Sequence, residues 1–105
     1  MIPDGALSML GIAAKAGKVA SGEYQTEHAV KSHKAFLVIV AEDASENTKK
    51  MFQNMCKFRK IELMIYGDRE SLGHSIGKDF RSSLAVTDAG LAQAVRKKFA
   101  RKTTE

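Results

Sequence analysis

The chain has 105 residues, 44% of them hydrophobic, with a single proline and a single cysteine, Cys56. That length and apolar content suit one domain over residues 1–105 with one core, and no apolar run approaches the ~20 residues of a transmembrane helix. The net charge of +5 and a pI of about 9.5 favour a polyanionic partner, because each phosphate neutralised by a cation releases counterions. The first residues, Met1-Ile2-Pro3-Asp4, lack a basic stretch followed by a long apolar one, so no signal peptide is expected. Cys56 has no internal disulfide partner, which predicts a buried thiol in a cytoplasmic protein.

Asp4 is expected to cap a first helix whose stripe is Leu7, Leu10 and Ala14, flanked by Ala6, Met9 and Ala13, with Gly17 ending it. Lys18-Val19-Ala20 leaves room only for a brief strand. Ser21 or Gly22 then opens a second helix to about Ser32. It is weakly apolar, with Ala29, Val30 and either Tyr24 or Thr26 turned inward, so one broad face stays in water. The run Phe36-Leu37-Val38-Ile39-Val40-Ala41 is unbroken and rich in β-branched residues, the pattern of a strand buried on both faces. Glu42-Asp43 follows it, and the N-cap of a third helix is the simplest use for those acids.

That third helix opens at Ala44-Ser45-Glu46-Asn47 and turns Met51, Phe52, Met55, Cys56 and Phe58 toward the core, with Lys49, Lys50, Lys57, Arg59 and Lys60 in water. Residues 61–66 read as a second strand and residues 69–75 as a short helix with Leu72 and Ile76 inward. A loop over 77–82 leads to a third main strand at 83–87. Asp88 caps a last helix whose Leu91, Val95 and Phe99 recur every four residues. Alternating helices and strands place the chain in the α/β class, a small sheet between helical layers.

Catalytic signatures are weak. His28, His33 and His74 share no metal-ligand spacing with Cys56 or a carboxylate. Leu72-Gly73-His74-Ser75-Ile76-Gly77 has two glycines but not the spacing of a phosphate-binding loop. No nucleophile is spaced with a base, so neither an enzyme nor a cofactor is expected. A binding surface is the better reading. The helix start at 22–28 offers backbone N–H groups, the Gln25 amide and the Ser21 and Thr26 hydroxyls. The loop at 77–82 offers Lys78, Arg81, two serines and Phe80. Glutamine suits base edges, cations suit phosphates, and an aromatic ring suits stacking on an unpaired base. Phe80 folded back onto the core is the competing reading.

Ala16-Gly17-Lys18-Val19-Ala20-Ser21-Gly22, the helix through Gln25 and Thr26, the strand ending Val40-Ala41-Glu42-Asp43-Ala44, and Leu72-Gly73-His74-Ser75-Ile76-Gly77 followed by Ser83-Leu84-Ala85-Val86 occur in a telling order. In that order and spacing the chain resembles the ribosomal protein L7Ae superfamily of RNA-binding proteins, which includes L30e, and within it the bacterial branch. The resemblance spans nearly the whole chain. It implies a three-layer α/β/α sandwich with a small mixed sheet, L30e-like, that binds kink-turn RNA at tandem sheared G·A pairs. It implies structured RNA, kink-turn or ribosomal, as the partner, on the ribosome or off it, and no membrane. By position it makes Lys18 a phosphate contact and Gly22 the glycine of close approach. Glu23, Tyr24, Gln25, Thr26 and His28 then form the helix end that enters the groove. Tyr24 and His28 stand where archaeal members carry Asn and Lys; Gln25 matches the bacterial branch. Lys78, Phe80 and Arg81 fall in the loop that covers a flipped-out nucleotide. Lys31 and Lys34 would add to the basic surface around the site, and the basic run at 96–102 would be a second, sequence-blind contact. A protein-interaction module on the same fold, docking an acidic partner through the basic last helix, is the alternative.

Overall fold

The computed structural model describes residues 5–103, with side chains through Phe99. Nine elements follow one another there: α1 Gly5–Lys15, β1 Val19–Ser21, α2 Glu23–Lys31, β2 Leu37–Val40, α3 Glu46–Arg59, β3 Leu63–Ile65, α4 Arg69–Ser75, β4 Ser83–Val86 and α5 Ala89–Thr103. Asp4, the expected cap of α1, lies outside the described residues.

The apolar run at 36–41 becomes β2, and every residue of that strand is buried. It sits inside a four-stranded sheet of order β1-β4-β2-β3. β2 runs parallel to β3, with Val38 opposite Leu63, and antiparallel to β4, with Ile39 opposite Leu84. β4 in turn pairs antiparallel with β1. α2 and α3 pack together on one face of this mixed sheet, and α1 packs with α4 and α5 on the other. The expected sandwich is therefore the observed one. Phe52, Leu10, Leu37, Ile39, Leu72 and Leu84 are its largest fully buried apolar side chains, each contributing roughly 1.5–3 kcal/mol by leaving water.

Local chemistry sets the boundaries. Ser45 caps α3 by accepting from the Thr48 N–H. Asp68 and Ser71 form a reciprocal capping box at α4, and the Ser71 N–H and hydroxyl hold the Asp68 carboxylate below its ordinary range. Asp88 caps α5, accepting from the Leu91 N–H at 2.9 Å. In α1 the buried face is Ala6, Leu10 and Ala13, with Leu7 only half-buried.

Two expectations fail here. Phe58 is 80% exposed: two residues beyond buried Cys56, it lies about 200° around the helix and points away from the sheet. Asp43 does not cap α3. Its carboxylate accepts from the Arg69 N–H at 2.9 Å and pairs with the Arg69 guanidinium at 3.4 Å, tying the end of β2 to the start of α4.

The sheet has two ends. At one, the Gly22 N–H donates to the Ser83 carbonyl and the Ala41 N–H to the Ser82 carbonyl. At the other, the Thr87 N–H donates to the Lys18 carbonyl, the Phe36 N–H to the Val86 carbonyl and the Val38 N–H to the Glu62 carbonyl.

Cys56 is 1% exposed, as expected, and burial pushes its thiol up to about 11 from 9.0, partly opposed by the Arg59 charge. The folded state thus keeps a proton that the unfolded chain releases first. This contribution to stability is intact below pH 9 and is lost as pH rises toward about 11. In denaturant titrations at pH 8.5 and 10.5, roughly, the native chain should lose about 1–2 kcal/mol more than Cys56→Ala, in which that titration is absent.

Candidate nucleic-acid interface

The helix α2 begins without a side-chain cap, at Gly22 with φ 91° and ψ 159°. That backbone region is open essentially to glycine alone. The first intrahelical bond runs from the Thr26 N–H to the Gly22 carbonyl at 2.9 Å. The N–H groups of Glu23, Tyr24 and Gln25 therefore face out of the helix mouth with no partner among the described residues. They lie at the positive end of the helix dipole, which favours an anion or an acceptor.

Side chains around this mouth divide by helical phase. Tyr24 is 75% exposed and stacks on His28 one turn later, ring centroids 6.4 Å apart and planes 13° from parallel. Gln25 is exposed and hydrogen-bonds to no described residue. Thr26 faces the other way. It is fully buried and accepts a 3.3 Å hydrogen bond from the Ser83 hydroxyl. Thr26 is thus no surface contact; it fixes the rotation of α2 against β4, and with it the outward aim of Tyr24 and Gln25.

The loop at 77–82 reaches the same end of the sheet by folding back over α4. The Lys78 N–H donates to the Gly73 carbonyl at 2.8 Å and the Arg81 N–H to the Arg69 carbonyl at 3.0 Å. This seat requires glycine at 73, since a Cβ there would lie 1.4 Å from the Asp79 carbonyl oxygen. The Arg81 guanidinium then bridges the two parts of the site, donating to the Ser21 hydroxyl at 3.3 Å and to the Phe80 carbonyl at 2.9 Å. Phe80 is not folded onto the core. It is 65% exposed, with the Arg69 guanidinium 5.9 Å from its ring centre. His74, Gly77, Lys78, Asp79 and Arg81 line an open cleft beside it.

Gly22, Glu23, Tyr24 and Gln25 are therefore on the same end of the fold as Lys78, Phe80 and Arg81. His28 lies one turn down α2. Lys18 does not join them: it stands four residues before Gly22, across the length of β1, about 13 Å away if extended. Lys34 is also at the far end, in the segment leading to β2, and Lys31 pairs with Glu27 at 2.7 Å. Within the run at 96–102, Arg96 binds the Glu62 carboxylate and donates to the Phe36 carbonyl at 2.7 Å; Lys97 and Lys98 form no ion pair with a described residue, and the side chains of Arg101 and Lys102 lie outside the described residues. Sequence reading gave no role to Arg69 or His74, which the backfolded loop brings into the site. Lys78, Arg69 and Arg81 are outnumbered at this end by Glu23, Glu42, Asp43, Asp68, Glu70 and Asp79, so the mouth can discriminate by donor geometry and stacking more than by net charge.

Known proteins share this design. A sequence profile of the Ribosomal protein L7Ae/L30e/S12e/Gadd45 family matches residues 5–96. The chain is 42% identical over 84 residues to "RNA-binding protein YlxQ" of Bacillus subtilis (strain 168), covering 80% of this chain and 84% of that one. The solved structure of a protein with unknown function from Bacillus halodurans C superposes with a TM-score of 0.90 at 35% identity, covering 93% of this chain and 99% of that one. The fold is also that of the Giardia lamblia 15.5kD RNA binding protein, with a TM-score of 0.75 at 20% identity over 90% of this chain and 84% of that one. With this profile running through nearly all of its elements, the chain belongs to the Ribosomal protein L7Ae/L30e/S12e/Gadd45 family.

Proposed function

We propose that the protein is a non-catalytic RNA-binding protein that recognises kink-turn-like structured RNA through the α2 mouth and the loop at 77–82. The hydrogen bond from Arg81 to Ser21 carries this reading, because it holds unpaired N–H donors and the exposed Gln25 beside an exposed aromatic ring. Such a surface can meet the edges of sheared base pairs and stack one unpaired base at the same time. The name of the B. subtilis relative and the family match support RNA as the ligand. Glu23, Tyr24 and His28 complete the groove-facing side of the helix, and Lys78 contacts phosphate.

Titration of a kink-turn RNA and a straight duplex at two salt concentrations tests the proposal. The native chain should prefer the kink-turn by roughly 10- to 100-fold, the equivalent of about 1–3 kcal/mol for base-edge recognition. Gln25→Ala should reduce that preference with little change in salt slope. Lys78→Ala should weaken both RNAs by the same factor and lower the slope by about 0.9. A native chain without preference, or two variants with the same profile, would contradict the assignment of roles.

A further inference from the structure

We infer that the end of the sheet opposite the mouth is a second RNA-binding surface, one that holds a single-stranded flank of the RNA by its phosphates and stacks a base on Phe58. α1, α2 and α3 all end there, and Lys15, Lys18, Lys34, Lys57, Arg59 and Lys60 cluster around their termini. None of these six forms an ion pair with a described residue.

Helix C-termini attract cations on their own account, but not this many. Each carries about half a negative charge, so three need fewer than two cations between them. The acids nearby are engaged: Glu62 with Arg96, Glu27 with Lys31, and Asp88 with the Leu91 N–H. An excess of roughly three to four positive charges remains at this end, whereas acids outnumber cations at the mouth. Exposed aromatic rings accompany the charge. Phe58 is 80% exposed with the Arg59 guanidinium 5.4 Å from its ring centre, and Phe36, preceding β2, is 44% exposed. Cations beside an open aromatic ring are the chemistry of single-strand binding, sequence-tolerant and salt-dependent.

The inference rests on the chain being an RNA binder, but not on what the mouth selects. The full-length protein is titrated with a kink-turn RNA and with the same RNA carrying a single-stranded uridine extension long enough to follow the 34 Å length of the molecule. The extension should tighten binding by about tenfold through a second linked contact. Combined Lys57→Gln, Arg59→Gln and Lys60→Gln changes should abolish that gain and lower its salt slope by about 2, while the bare kink-turn binds as before. Phe58→Ala alone should cost the extended RNA about fivefold. Lys57, Phe58 and Lys60 are exposed and Arg59 is half-buried, and circular dichroism is to be used to check that the variants fold.

No gain from the extension on the native chain, or a gain that survives the triple change, overturns the inference. Loss of polyglutamate binding in the triple variant with an unchanged RNA salt slope also overturns it, and assigns the surface to an acidic protein. Should the kink-turn show no advantage over straight duplex, the reading of the mouth fails instead, and the effect of the extension is still scored on the duplex.

Discussion

Gly73→Ala is expected to lower the melting temperature by about 10 °C or more and to remove the preference for kinked RNA. The methyl group would lie 1.4 Å from the Asp79 carbonyl oxygen and 2.5 Å from its carbon. Both are backbone atoms, so no side chain can swing aside. Either α4 or the loop at 77–82 must move, stretching the bonds from Lys78 to Gly73 and from Arg81 to Arg69. Overpacking of this kind costs about 1–3 kcal/mol, and rigid neighbours put it at the upper end. For a domain of this size each kcal/mol is about 4 °C. A displaced loop also withdraws Arg81 from Ser21 and re-aims Phe80. Thermal unfolding followed by circular dichroism, beside the kink-turn titration, checks both effects. An unchanged melting temperature would mean that the loop does not rest on α4 in solution.

Gly22→Ala should separate binding from stability. Nothing lies within 4 Å of a Cβ at this position, so the cost in the free protein is backbone strain alone, about 1–3 kcal/mol. In the complex the same methyl would occupy the space through which the mouth meets its ligand. Kink-turn affinity should fall by roughly 10- to 100-fold, the equivalent of about 1–3 kcal/mol of lost base-edge contact. If Gly22→Ala lowers stability but leaves the kink-turn affinity of the folded chain unchanged, close approach at Gly22 plays no part in recognition.

Much of the fold was legible because it depends on local pattern. The buried run at 37–40 and the four-residue spacing of Val95 and Phe99 appear where periodicity puts them. The polar start at 22–25 was legible too, as a helix mouth with too little apolar surface to be covered. What could not be read were contacts made across the chain. Asp43 looked like a helix cap because the peptide group it binds is 26 residues away. Arg96 looked like part of a nucleic-acid patch because Glu62 and the Phe36 carbonyl meet it only in three dimensions. The choice between Tyr24 and Thr26 for the inward position was open in sequence, and Ser83 decides it by giving Thr26 a buried partner. The separation of Lys18 from Gly22 was implicit in the brief strand expected between them, which carries the chain from one end of the sheet to the other.

The strands on the two rims of the sheet, β1 and β3, are each three residues long. A rim that short exposes few unsatisfied amide and carbonyl groups to a neighbouring molecule, and so gives an incoming chain little to template against. The same economy should keep the protein from polymerising into fibrils when it is concentrated or stripped of its ligand. Lengthening either rim by a few β-branched residues would remove that safeguard while leaving the interior untouched.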